Sequence, residues 1–197
     1  MRRNTFTRRA ALFLLAAALL LLPVNFCATT AANTTTIAAQ SPPNIGLSGF
    51  FATDRAQRGR TVQAAVVVDI PQGYHVNANK PLGKYAVPTV LRIDAPGGVR
   101  IGPIVYPRAS VRKFSFSSES LAVYEGRIVL RFNVTVPANF NQGGTELRAR
   151  LRYQSCTDDT CFQPETREVS MPIGIVGANE SVKRINGRVF GGRRRQG

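Results

Sequence analysis

Polar and apolar side chains alternate without a break in the stretch Glu146-Leu147-Arg148-Ala149-Arg150-Leu151-Arg152-Tyr153. Successive side chains of a β-strand point to opposite faces of the sheet, so this period of two predicts a strand with one buried face. The apolar face consists of Leu147, Ala149, Leu151 and Tyr153, and the three arginines lie on the other. If the alternation continues past the strand, Cys156 falls on the arginine face, toward solvent.

The same period recurs through the rest of the chain. Two further apolar faces are Val62, Ala64, Val66, Val68 and Ile70, and Ile128, Leu130, Phe132, Val134 and Val136. Turn signals such as Pro71-Gln72-Gly73 and Pro96-Gly97-Gly98 divide the chain into about seven or eight short strands, and no segment sustains the 3.6-residue period of a helix. The pattern predicts an all-β fold, an immunoglobulin-like antiparallel β-sandwich.

The N-terminus has the features of an export signal. Arg2, Arg3, Arg8 and Arg9 precede an apolar run from Ala10 to Leu22, and small residues follow. We therefore expect a signal peptide over residues 1–32 and a periplasmic or secreted protein. A lipid anchor at Cys27 is the alternative, but Phe26 stands where lipidation sites carry a small residue. No later stretch approaches the roughly 20 apolar residues of a transmembrane helix.

The expected mature chain is one domain with two extensions. We assign residues 33–44 to a flexible linker, residues 45–177 to the folded domain, and residues 178–197 to a basic Gly/Arg-rich tail with little to bury. The formal net charge is +15, and excluding all charged groups of the leader and tail, Glu180 included, leaves about +6 for the domain. For an exported protein this charge argues against nucleic acid as a partner. We expect a monomer.

Removal of the leader leaves one cysteine pair, Cys156 and Cys161, separated by a short turn. Opposed residues of an antiparallel hairpin lie within the range that a disulfide spans. A loop of six residues gains only roughly 2 kcal/mol from the bond in the chain-entropy model. Asp158 and Asp159 oppose thiolate formation. These residues alone leave two hypotheses open, a redox-active pair and a structural bridge.

Three ordered motifs accompany the cysteine pair. The first is Tyr153-Gln154-Ser155-Cys156 followed by Cys161-Phe162-Gln163-Pro164-Glu165-Thr166. The second is Gly73-Tyr74-His75-Val76-Asn77-Ala78-Asn79-Lys80-Pro81-Leu82 with Val87-Pro88-Thr89, and the third is Val123-Tyr124-Glu125-Gly126. Together they resemble motifs of the periplasmic N-terminal domain family of the thiol:disulfide interchange protein DsbD, and the resemblance covers roughly residues 45–176. It implies an immunoglobulin-like sandwich, the fold that the strand pattern also predicts.

The resemblance implies a thiol–disulfide interchange component that relays electrons without a cofactor. The donor would be a thioredoxin-like or membrane electron-donor protein. The acceptors would be periplasmic disulfide oxidoreductases that isomerise disulfides or serve cytochrome c biogenesis. By the same resemblance Cys161 forms the mixed disulfide and Cys156 resolves it.

The resemblance also implies a cap loop with an aromatic ring over the pair. Phe116 is the first choice for this ring and Phe114 the second, although both are equally consistent with core residues of a short strand. Tyr124 and Glu125 are expected to line the cap, and Tyr153 to be buried near the pair. His75, the only histidine, is expected at a surface or in a turn, without the partners that a zinc site needs.

One difference from full-length DsbD is that this chain carries neither a membrane segment nor a thioredoxin-like domain. The expected relay therefore works with separate polypeptides. The alternative is a non-redox immunoglobulin-like binding domain whose disulfide is structural.

Overall fold

The structure is a computed structural model that describes residues 41–191. The expected signal peptide, Cys27 and most of the expected linker lie outside these residues. The described chain contains twelve strands and one short helix. They are β1 (Gly46–Phe51), β2 (Arg55–Gln57), β3 (Thr61–Asp69), β4 (His75–Asn77), β5 (Val90–Asp94), β6 (Arg100–Ile101), β7 (Ser110–Lys113), β8 (Ser120–Tyr124), β9 (Arg127–Thr135), β10 (Gly144–Tyr153), β11 (Ser155–Cys156), β12 (Glu165–Val176) and α1 (Gly187–Phe190).

Two four-stranded sheets enclose the core. Their strand orders are β1-β3-β9-β6 and β2-β12-β10-β5, and every pairing is antiparallel except the parallel pair of β2 with β12. The alternating apolar residues predicted for β3, β9 and β10 are all buried in one hydrophobic cluster. Gly49 of β1 allows a close approach between the sheets, since a Cβ at this position would overlap the Met171 side chain. The predicted immunoglobulin-like sandwich is confirmed, although it has more strands than expected.

A third, smaller sheet carries the cysteine pair. Its order is β11-β4-β8-β7, and all its pairings are antiparallel. Most of these strands have two to four residues, which is too short for a sequence period to be visible. The chain passes from β10 in a main sheet to β11 in this one within two residues, at Gln154.

The C-terminal segment packs on the outside of the first sheet. Val189 of α1 is buried against Ala65 and Val67, the β3 residues whose side chains face away from the core. The backbone of the segment also pairs with the domain, since the Ile185 amide donates to the Ala52 carbonyl oxygen at 2.9 Å. The described part of the expected tail therefore packs on the domain, and Val189 is its one buried residue. No helix within residues 41–191 is long and apolar enough to cross a membrane.

Candidate functional site

Cys156 and Cys161 form a disulfide at the end of the small sheet. β11 pairs with β4 so that Ser155 lies opposite Val76 and Cys156 opposite His75. Cys161 forms an isolated antiparallel bridge back to Cys156, and the Phe162 amide donates to the Ser155 carbonyl oxygen at 2.9 Å. The sheet thus fixes Cys156, whereas Cys161 belongs to the returning arm of a tight hairpin.

Thr157 organises the turn between the two cysteines. Its amide donates to the Thr160 carbonyl oxygen at 2.8 Å. Its hydroxyl oxygen accepts hydrogen bonds from the amides of Asp159 and Thr160 at 3.3 and 3.2 Å. The expectation that Asp158 and Asp159 belong to a turn agrees with this arrangement, but the side chain that closes the turn is that of Thr157.

The two sulfur-bearing residues differ sharply in exposure. Cys156 is 0% exposed, and Cys161 is an exposed residue. The expectation that Cys156 points to solvent with the arginines is therefore wrong. The alternation of β10 ends when the chain changes sheets after Tyr153, and Ser155 and Cys156 are both buried against the small sheet. A disulfide with one sheltered and one accessible residue presents one side to an incoming thiolate.

Gln154 connects the hairpin to the neighbouring strand. Its side-chain amide donates to the Phe162 carbonyl oxygen at 3.0 Å, and its side-chain oxygen accepts from the Asn77 amide group at 3.2 Å. The same residue marks the change of sheet, so these bonds hold the hairpin at a fixed position relative to β4. Sequence reasoning did not assign a role to Gln154 or Asn77.

An aromatic stack begins at His75, the residue opposite Cys156 in the small sheet. The Phe114 ring stacks on the His75 imidazole with centroids 4.1 Å apart, and the Phe116 ring stacks on Phe114 at 5.4 Å. Phe114 is buried, as in the core alternative, whereas Phe116 is 37% exposed. Phe114 therefore acts as packing for His75, and Phe116 forms the outer layer. We call residues 114–119 the cap segment.

The cap segment is bonded to the disulfide turn. The Ser115 hydroxyl donates to the Asp158 carbonyl oxygen at 2.9 Å and to the Asp159 carboxylate at 3.2 Å. On its other side, a Glu119 carboxylate oxygen accepts from the Lys84 amide at 3.3 Å. The cap segment thus lies between the disulfide turn and the loop containing Lys84.

Cys161 and Phe116 line one cavity of about 390 Å³. The other walls include Tyr85, Leu121, Gln154 and Asn77. Tyr85 is 86% exposed at the rim. This cavity combines the accessible cysteine with the cap ring that the sequence placed first.

Tyr124 is the last residue of β8 in the small sheet, and Glu125 follows it directly. Tyr124 is buried and donates its hydroxyl to Asn79 Oδ1 at 2.6 Å, and burial raises the pKa of this phenol. Glu125 accepts from the Arg112 guanidinium at 2.8 Å. Neither residue lines the cavity that contains Cys161.

Tyr153 is fully buried, as expected, at the end of β10. Its hydroxyl donates to the Glu165 carboxylate at 2.9 Å and accepts from Arg167 Nε at 3.2 Å. Burial, together with the hydrogen bond to Glu165, raises the pKa of Tyr153 to about 12. The phenol is therefore protonated at neutral pH and ties the strand before the hairpin to the strand after it.

His75 is the residue whose position differs most from expectation. It is a buried strand residue, 1% exposed, and not a surface or turn histidine. Burial lowers the pKa of the imidazole, while the Glu125 and Asp158 carboxylates act in the opposite direction. Within residues 41–191 no group of three or more His, Cys, Asp or Glu side chains is arranged to hold a metal ion.

Residues 48–172 match the protein family described as thiol:disulfide interchange protein DsbD, N-terminal. The chain belongs to this family. A comparison with curated proteins finds no match.

Solved structures from two bacteria are similar to this member of the DsbD N-terminal family. The reduced DsbD N-terminal domain of Neisseria meningitidis is 16% identical, with a TM-score of 0.41, over 70% of this chain and 88% of that one. The N-terminal periplasmic domain of ScsB from Proteus mirabilis is 12% identical, with a TM-score of 0.44, over 73% of this chain and 51% of that one.

The residues that sequence reasoning missed share one property, which is that tertiary contacts define their role. His75 and Asn77 belong to a motif that indicated the DsbD N-terminal family, but nothing near them in sequence indicates burial opposite a cysteine. Ser115 lies in a polar segment, and its partner is more than forty residues away. The family motif was the available signal for His75, since it places the histidine at the start of a strand.

Proposed function

We propose that the domain is a periplasmic thiol–disulfide exchange module that relays electrons through Cys156 and Cys161. The electrons come from a thioredoxin-like donor. They pass to periplasmic disulfide oxidoreductases that isomerise disulfides or take part in cytochrome c maturation. The observation that carries the proposal is the unequal exposure of the pair, with Cys156 sealed in the sheet and Cys161 in a cavity beside Phe116. Membership of the DsbD N-terminal family supports the same chemistry.

The proposed exchange runs through two mixed-disulfide steps. A donor thiolate attacks the Cys161 sulfur, the Cys156–Cys161 bond breaks, and the bonding electron pair stays on the Cys156 sulfur. The donor's second thiolate then attacks the donor sulfur that is bonded to Cys161, and Cys161 leaves as a thiolate. The donor leaves oxidised, and the domain holds two thiols after taking up two protons. The reverse sequence on an acceptor disulfide restores the bridge and reduces the acceptor.

The rim of the cavity fits a protein donor. Tyr85 lines the cavity with Cys161, and Leu82 lies three residues before it on the same loop; both are large side chains that are mostly exposed. Exposed apolar residues grouped at a reactive site are typical of protein interaction surfaces. A thioredoxin-like protein presents its reactive sulfur at its own surface, so apolar contact around Cys161 suits such a partner.

Two observations support a periplasmic location. The sequence begins with the features of an export signal, and the similar ScsB domain is described as periplasmic. An oxidising compartment also suits a protein whose function requires a disulfide.

The reduction potential of the Cys156–Cys161 pair tests the proposal against the structural alternative. Structural disulfides of exported proteins have potentials below roughly −300 mV, and exchange-active pairs lie above this value. Equilibration of the purified domain with glutathione, followed by alkylation of free thiols, should give a potential above that limit. A reduced thioredoxin-like protein should also reduce the pair within minutes. A potential below the limit together with no exchange would establish the non-redox binding domain instead.

A further inference from the structure

His75 and Cys156 are directly opposed in the antiparallel pair of β4 and β11. Side chains of opposed residues lie on the same face of a sheet, with Cβ atoms about 4.5–5.5 Å apart. Both residues are almost completely buried. The imidazole is therefore a neighbour of the cysteine that solvent does not reach.

One nitrogen of the His75 imidazole lacks a hydrogen-bond partner among the described residues. This nitrogen is Nε2, which is buried. A buried polar atom without a partner is destabilising, so its retention calls for an explanation. Phe114 stacks on the ring and fixes its plane. The plane of the ring is thus fixed, while Nε2 has no hydrogen bond to stabilise it in the oxidised protein.

The Cys156 sulfur needs a proton donor when the disulfide opens. In the proposed exchange this sulfur departs with the electron pair into a buried site, where a bare thiolate is unfavourable. The carboxylate of Asp158 in the adjacent turn makes it less favourable still. Since the residue is inaccessible, bulk water is a poor source of the proton.

We propose that His75 is the proton donor and acceptor of Cys156, an inference that rests on the proposed exchange function. When the bridge is reduced, the imidazolium gives the proton on Nε2 to the departing Cys156 sulfur, leaving a neutral imidazole and a thiol. When the pair is oxidised, Nε2 accepts the proton of the Cys156 thiol. The Cys156 thiolate then attacks the Cys161 sulfur of the mixed disulfide and expels the partner's thiolate.

The charged groups around His75 suit a ring that changes protonation state. Glu125, after β8, and Asp158, in the disulfide turn, favour the imidazolium, and Arg112 of β7 opposes it. Burial favours the neutral ring and lowers the pKa of His75. A neutral imidazole that can gain a proton near two carboxylates is a suitable general base.

Ellman's reagent reports the reactions of Cys161 and Cys156 as two successive steps. With the reduced protein, attack by the accessible Cys161 releases one thionitrobenzoate, and attack by Cys156 on the resulting mixed disulfide releases a second. His75→Phe retains an aromatic ring for Phe114 but removes the nitrogen. We expect the first release to change less than twofold and the second to slow by tenfold or more near pH 7. The gap should narrow as the pH rises, because hydroxide can then take the thiol proton in place of the imidazole.

Val76→Ala is the matched control, because it perturbs the packing of the same strand and leaves the imidazole in place. Its second release should stay within about threefold of the wild type, because general-base assistance is retained. The role of His75 is disproved if His75→Phe is folded and its second release is unchanged. A slowing of His75→Phe that is equal at all pH values, or matched by Val76→Ala, would also overturn the proposal, since it would indicate packing alone.

A measurement on the wild-type protein avoids any folding defect of the variant. Because the chain has a single histidine, its imidazole gives one resolved NMR titration. We expect the titration midpoint to differ between the oxidised and reduced protein, and identical midpoints would overturn the proposal. Neither test uses a thioredoxin-like donor, so both are independent of whether such a donor exchanges with the domain. If the proposed relay is wrong, the reduction-potential and donor assays show it. If the proposed role of His75 is wrong, the thionitrobenzoate and NMR measurements show it.

Discussion

The Ser115 hydroxyl donates a hydrogen bond to the Asp158 carbonyl oxygen, at 2.9 Å. This bond joins the cap segment to the turn that lies between the two cysteines. Any movement of the turn when the disulfide opens is therefore transmitted to the segment that carries Phe116. The Ser115 side chain therefore couples the cap segment to the redox pair.

Ser115→Ala should loosen the cap. Loss of a hydrogen bond worth about 1 kcal/mol corresponds to about a fivefold increase in the open population. We expect reduction of the bridge by a small thiol such as dithiothreitol to accelerate by a similar factor. Ser117→Ala is the matched control, because Ser117 bonds within the cap segment, to the Glu119 carbonyl oxygen at 2.8 Å. Equal acceleration in both variants would mean that the bond to the turn has no special role.

Replacement of each cap phenylalanine should have a different effect. Phe116→Ala is expected to speed reduction of the bridge by small thiols and to change the free energy of unfolding by less than about 1 kcal/mol, since the ring is partly exposed. Phe114→Ala should cost about 3–5 kcal/mol, because its buried ring supports His75. Stopped-flow reduction and thermal melting distinguish the two. Unchanged reduction rates in both variants would refute the capping role.

The strands that form the core could be predicted because their signal is local. In β10, for example, Leu147 and Leu151 are buried and Arg150 is exposed, as the alternation requires. The same rule failed at Cys156, three residues after the end of β10. The face that is buried changes where the chain moves to another sheet. That move depends on the pairing of β11 with β4, about eighty residues earlier in the chain.

The site itself was predictable only in part. The motifs indicated the cysteine pair and placed Phe116 near it, and the cavity contains both Phe116 and Cys161. The burial of His75 depends on Phe114, far away in sequence, so no local pattern reveals it. The same reason explains α1, whose Val189 is apolar in a basic segment and finds its place only against the outer face of β3.

Reduction of the disulfide should leave the domain folded. The core is provided by the two main sheets, and closure of a six-residue loop contributes roughly 2 kcal/mol in the chain-entropy model. For a domain of this size, that loss lowers Tm by roughly 4–8 °C. Circular dichroism and thermal melting with and without reductant measure it, with Cys156→Ser/Cys161→Ser as the control that lacks the bond. Unfolding at room temperature on reduction would support the structural reading of the bridge.

Tyr153 should make stability fall at high pH. Its pKa in the folded protein is about 12, above the value of about 10 for an unfolded chain, so the folded state holds the proton more tightly. The contribution is fully present below about pH 10 and is lost as the pH rises through 12. Tyr153→Phe should remove this component of the pH dependence. Denaturant unfolding between pH 9 and pH 12, compared with Tyr74→Phe, tests it, and identical slopes for Tyr153→Phe and wild type would contradict it.

The roles of the two cysteines lead to the last prediction, which uses their unequal exposure. Cys156→Ser leaves the accessible Cys161 thiol, and Cys161→Ser leaves a thiol on a residue that is 0% exposed. A thioredoxin-like protein with a single cysteine, activated as its thionitrobenzoate disulfide, should form a mixed disulfide at least tenfold faster with Cys156→Ser. In each case the domain's thiolate attacks the partner's sulfur and releases thionitrobenzoate, so the rate is read from its absorbance.

Denatured samples of the same two variants provide the control for this comparison. In guanidinium chloride both thiols are exposed, and their trapping rates should agree within about threefold because only local charge then distinguishes them. A large native difference that disappears on unfolding assigns the mixed disulfide to Cys161 through the fold. Equal trapping by the native variants would remove that assignment while leaving redox activity intact. Absence of trapping by either native variant, with normal rates after denaturation, would mean that neither sulfur is presented to such a partner and would favour the binding domain.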